Sequence, residues 1–95
     1  MYFAVRQLRG GPWDFTRGLR DQDGFSAHAR YMDTLVEDGF IVLGGPLEGD
    51  REVLLAVCAD SKPQVRTRFA ADPWIQDGHL TLGSIESWAI LLDSR

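Results

Sequence analysis

The apolar positions fall into short blocks separated by turn-forming residues, and each block has its own period. Tyr2-Phe3-Ala4-Val5-Arg6-Gln7-Leu8 is β-prone and predicts a first strand. Arg9 to Gly24 carries Gly10-Gly11-Pro12, Gly18 and several charges, which predicts a long loop of the kind that is usually functional or mobile. From Phe25 to Asp38 the period changes to helical: His28, Met32, Leu35 and Val36 fall near one face with Tyr31 beside them, and Arg30, Asp33 and Glu37 fall opposite. Ser26 or Asp23 can cap its start, and Gly39 suits the left-handed position after its end.

Phe40-Ile41-Val42-Leu43 predicts a second strand running into Gly44-Gly45-Pro46-Leu47, with a hairpin turn at Glu48-Gly49-Asp50-Arg51 and a third strand over Val53-Leu54-Leu55-Ala56-Val57-Cys58. Ser61-Lys62-Pro63-Gln64 is a helix start: Ser61 caps, Gln64 reciprocates and Pro63 is tolerated in the first turn. Val65 and Phe69 share one face of this helix, which should stop near Ala71 because Pro73 disfavours helical geometry at Asp72. Leu80 to Leu92 predicts the last strand, with a bulge or bend at Gly83-Ser84 where the alternation slips.

The order βαββαβ predicts an α+β, ferredoxin-like domain over residues 1–95: an antiparallel sheet with two helices on one face. Strands two and three are apolar at successive positions, so both of their faces need cover. Two helices cover one. A second copy of the chain is the simplest cover for the other, so a homodimer is expected. Length agrees, because 95 residues make a thin core, yet 44% of them are apolar.

Charge and cysteine content narrow the partners. The net charge is −4 and acids are interleaved with bases, which argues against nucleic acid. The single Cys58 excludes an intrachain disulfide and, inside an apolar run, reads as a buried inert thiol. No apolar run approaches the roughly 20 residues that span a bilayer, so no membrane association is expected and the cytoplasm is the expected location.

Several stretches together resemble the YciI-like family, also called the YCII-related domain. They are His28-Ala29-Arg30-Tyr31-Met32, Gly39 through Leu47 with Gly44-Gly45-Pro46-Leu47, Phe69 through Trp74 with Asp72-Pro73-Trp74, and Ser84 through Leu92. Gly11-Pro12-Trp13-Asp14 is similar to one subgroup of that family. The resemblance implies a dimeric α/β barrel of two ferredoxin-like protomers, and more distantly a likeness to muconolactone isomerase and a chloromuconolactone dehalogenase. It implies a pocket holding a His and an Asp, which fall here on His28 and Asp72.

An imidazole gives and takes protons near neutral pH, and a carboxylate on one ring nitrogen fixes its tautomer. His28 with Asp72 is thus the candidate acid–base unit. From the residues alone, His28 fits a core histidine better than a site residue, and Asp72 also fits a helix terminator. No nucleophile accompanies them: Ser26 and Ser61 read as caps, and Ser26 points well away from His28 around the helix axis. His28 and His79 are isolated, so neither a metal nor a cofactor is expected, and His79 reads as a solvated turn residue.

For substrate binding, Trp13 could wall the pocket, and Asp14, Arg17 and Arg20 could close over it. Gly45 and Pro46 allow close backbone approach. Trp74 and Trp88 read as core or dimer-interface residues. The expected function is proton transfer on a small, carboxylated or lactone-like molecule, by isomerisation, elimination or hydrolysis. A non-catalytic ligand-binding or regulatory module is the alternative, since the family resembled is sometimes associated with sigma-factor systems. A sheet that docks on another protein is a third reading.

Overall fold

The computed structural model describes residues 1–95. Strand β1 (Tyr2–Arg9) lies inside the sheet, flanked by β3 (Glu52–Cys58) and β4 (Leu80–Ser87), with β2 (Ile41–Pro46) on the far side of β3. All three pairings are antiparallel. This order, β2-β3-β1-β4, is the ferredoxin-like arrangement expected from βαββαβ. Helices α1 (Phe25–Glu37) and α2 (Lys62–Ala70) bridge β1 to β2 and β3 to β4.

Alternation along β1 assigns the two faces. Phe3, Val5, Gln7 and Arg9 are buried on one side; Tyr2, Ala4, Arg6 and Leu8 point to the other. Register carries the split across the sheet, setting Phe3 against Val57, Val5 against Leu55 and Gln7 against Val53. The core under the helices joins Phe3, Val5 and Val57 to Leu35 of α1 and to Val65 and Phe69 of α2. Each such side chain contributes about 1.5–3 kcal/mol by leaving water.

The opposite face has no layer over it within one chain. Leu8 and Leu43 are exposed there, and Trp88 lies exposed just past the end of β4. Cys58, facing Tyr2 on the same side, is also exposed, not buried as its apolar run predicted. The run is apolar because both faces of β3 carry apolar residues, and only one meets helices.

Several boundaries differ from expectation, each for a local reason. The last strand ends at Ser87, not Leu92; residues 88–95 have no regular structure despite their apolar composition. Arg9 belongs to β1, since its backbone N–H donates to the Arg51 carbonyl at 2.8 Å. The β1–β4 register shifts between Arg6 and Gln7, where Arg6 faces Ser84 and Gln7 faces Leu82; Gly83 is the extra residue of the expected bulge. Helix α1 is entered through Gly24 in the left-handed conformation, not capped by Asp23 or Ser26. A Cβ at Gly24 would stand 3.3 Å from the Trp74 indole nitrogen, so the entry needs glycine on two counts. Ser61 caps α2 as expected, but Gln64 returns its bond to the N–H of Asp60.

A third helix, α3 (Pro73–Asp77), occupies the stretch after α2. Pro73 stops one helix and opens the next, because a proline suits a first helical turn. Asp72 is the N-cap of α3, its carboxylate accepting from the Trp74 N–H at 3.0 Å. A 3-10 turn at Leu19–Asp21 breaks up the long loop. No helix is long and apolar enough to cross a membrane.

Candidate functional site

Asp72 has no exposure, and a buried carboxylate needs donors. It has two. Besides the Trp74 N–H, the His28 Nδ1 lies 2.8 and 2.9 Å from its two oxygens. The helical period of α1 turns His28 inward, and the Asp-Pro junction between α2 and α3 turns Asp72 toward it. Two residues 44 apart in sequence thereby meet in the protein interior.

Aromatic packing fixes the imidazole further. The His28 ring stacks on Trp74 with centroids 3.9 Å apart and planes 14° from parallel. Trp13 meets Trp74 edge-on at 5.1 Å, and the Trp74 indole N–H (Nε1) donates to the Asp23 carbonyl at 2.8 Å. His79 also stacks on Trp74, at 5.4 Å, and is buried, which corrects the expectation of a solvated turn residue. Its ring nitrogen pairs with Asp77 at 2.7 Å. Partial burial of Asp77 would raise its pKa; the backbone and ring N–H groups of His79 outweigh that and hold it below the usual carboxylate range.

His28 and Trp74 line a cavity of about 450 Å³. Such a volume is within the usual span for small-molecule sites, about 300–1,000 Å³. Met32 and Val36 of α1, Gly44, Gly45 and Pro46 of β2, Gln7 and Arg9 of β1, and Trp13 of the loop after β1 also line the cavity. Most of the lining is hydrophobic and none of it is acidic. No group of three or more His, Cys, Asp or Glu side chains is placed to hold a metal ion.

The structure thus brings His28, Trp13, Gly45 and Pro46 to one cavity, with Asp72 directly behind His28. Asp14, Arg17 and Arg20 do not line it. Asp14 turns back on its own loop, accepting from Thr16, whose bonds hold its pKa low. Arg17 lies 3.7 Å from Asp23, and Arg20 is exposed.

Four contributors carried no sequence signal strong enough to single them out. Trp74 is the platform for His28, where a core or interface role was expected. Gln22 is buried and pins the loop: it accepts from the Asp14 N–H at 2.9 Å and donates to the Asp14 and Arg17 carbonyls at 2.6 and 3.1 Å. Gln7 and Arg9 are buried polar residues on the helix-facing side of β1. The last pair was legible in principle, since a strand alternation of Phe3, Val5, Gln7, Arg9 puts polar groups on a core face.

Fold and site together define a class: a ferredoxin-like α+β domain with a mostly apolar cavity beside a buried His–Asp pair. No family model matches the sequence, and no curated protein matches it. Among solved structures, the chain is similar to 5-chloro-2-hydroxyhydroquinone dehydrochlorinase (TftG) from Burkholderia phenoliruptrix AC1100, in complex with 2,5-dihydroxybenzoquinone. The TM-score is 0.70 at 22% identity, covering 94% of each chain. At that identity the likeness establishes the shared fold.

Proposed function

We propose that this chain is a small-molecule enzyme of the YciI-like kind in which His28, oriented by Asp72, moves a proton on a compact, largely apolar substrate. The observation that carries the reading is the His28–Asp72 contact beside the cavity, 2.8 Å long and backed by Trp74. With Nδ1–H donating to the Asp72 carboxylate, Nε2 is left as the nitrogen free to meet ligand. Nε2 takes a proton from a substrate carbon or hydroxyl. Returning it to a neighbouring atom gives isomerisation; losing a leaving group gives elimination. Asp72 acts through His28 and is a positioning residue.

The dehydrochlorinase that shares the fold favours elimination among these, and makes chlorinated hydroxyhydroquinones the first substrates to try alongside small lactones. We take the working form to be a homodimer closed over the open sheet face. One exposed, unpaired thiol fits a reducing compartment such as the cytoplasm.

His28→Ala should lower kcat about 10²–10⁴-fold while leaving the fold intact. Asp72→Asn keeps an oxygen to cap α3 but no charge for the imidazole. It should lower kcat and shift the His28 ring-nitrogen NMR signals toward the other tautomer. Full turnover in both variants sinks the proposal. A second reading, ligand binding without turnover, draws on the fact that Asp72 also caps α3. It predicts thermal stabilisation by a ligand recovered unchanged by mass spectrometry.

A further inference from the structure

Four buried side-chain polar atoms have no protein hydrogen-bond partner: the Gln7 amide nitrogen and oxygen, Arg9 Nε and Trp13 Nε1. All four belong to residues that line the same cavity. Gln7, Arg9 and Trp13 are 0%, 8% and 5% exposed. Folded proteins pair nearly all such atoms, so their concentration in the lining of one cavity is informative.

We propose that Gln7, Arg9 and Trp13 form an anion-recognising subsite that holds a charged oxygen — a carboxylate, enolate or phenolate — on a small apolar skeleton. The proposal rests on reading the cavity as a ligand site and adds which chemistry it selects.

Placement supports one shared ligand group. Gln7 and Arg9 are two residues apart on β1, so both side chains leave the same face, about 7 Å apart along the strand. The Arg9 guanidinium lies 4.2 Å from the centre of the Trp13 ring, which brings the indole into the same corner. Three of the four unpartnered atoms are N–H donors and one is an acceptor. Arg9 brings a guanidinium fork to the cavity, and no carboxylate lines the cavity itself. The one carboxylate on Arg9 is that of Asp50, in the β2–β3 turn, which takes Nη1 and leaves Nε unpartnered. That pairing, with the bond from Nη1 to the Asp50 carbonyl at 3.3 Å, holds the guanidinium in one orientation.

The test uses benzoate as the anionic probe and toluene as its apolar counterpart, titrated by NMR into wild type, Gln7→Leu and Trp13→Phe. Wild type should bind benzoate about tenfold or more tightly than toluene, the effect of hydrogen bonds to a charged group. Each variant should weaken benzoate about tenfold and leave toluene unchanged. Gln7→Leu should melt at or above the wild-type temperature, because it removes a buried amide that no protein group satisfies. Equal binding of both probes by wild type, or benzoate affinity unchanged in both variants, overturns the subsite. No binding of either probe overturns the cavity reading and the subsite with it. If benzoate shows the expected pattern while no substrate is ever turned over, the enzyme reading fails and the subsite stands.

Discussion

Asp72 does two jobs with one carboxylate, and they can be separated by substitution. It caps α3 and it holds the imidazole of His28. Asp72→Ala strands the Trp74 N–H and the His28 ring nitrogen together, in a place with no water access for the carboxylate. The expected loss of stability is about 2–4 kcal/mol, from a lost cap and an unsatisfied buried donor. Asp72→Asn should cost clearly less. Equal urea midpoints for the two variants would show that the side chain contributes nothing local. Sequence reading picked out both members of this pair, His28 by its place on an apolar helical face and Asp72 by resemblance. It took Asp72 for the end of one helix because an Asp-Pro step ends a helix more visibly than it begins one. Gln7 is marked only by the Phe3, Val5 alternation, which places it on the core face without saying that it lines a cavity.

At the scale of elements, two contacts tie pieces together that local pattern treats separately. Gln22 replaces missing backbone partners across the Asp14–Gly18 bend. Gln22→Ala should destabilise by about 1–3 kcal/mol, read by urea unfolding, and should loosen Trp13, which the same loop carries. Asp38 and Arg68 join the end of α1 to α2, and Arg68 lies 4.8 Å over the Phe40 ring. The Arg68 guanidinium, then the Phe40 N–H, holds the Asp38 carboxyl below its usual range. A carboxyl with a folded-state pKa below its unfolded value stabilises above the unfolded pKa, near 4, and loses that contribution as pH falls through the folded value. Asp38→Asn should therefore lower Tm near neutral pH, and the gap to wild type should close as the solution is acidified. A gap that stays constant with pH would mean the ion pair is not its cause.

For the whole molecule, the decisive feature is a sheet with one covered face. Leu8 and Leu43 on the uncovered face, with Trp88 beside its edge, are more apolar exposure than solvent favours. Light scattering should give about twice the 10.7 kDa chain mass, as expected for a two-fold dimer. Leu54 faces Arg6 and Gly45 on the open side of β3. Leu54→Glu should yield a folded monomer; an unchanged dimer mass would place the interface elsewhere.

The sequence by itself determined the βαββαβ framework (though not α3 or the 3-10 turn), the topology and the helical face that carries His28. These follow from period and turn chemistry, which act over a few residues. It also marked the bulge at Gly83 and the cap at Ser61, where one side chain or its absence decides the backbone. Tertiary structure decided the rest. Whether His28 meets Asp72, whether Arg17 reaches the cavity and which polar groups lose water depend on how distant elements pack, and no local period records that. Burial of His79 was missed for the same reason: its cover is Trp74, which the α3 turn delivers. The site exists because packing brings polar residues from β1, α1 and the α2–α3 junction out of water together, and only there do their hydrogen bonds acquire a chemical use.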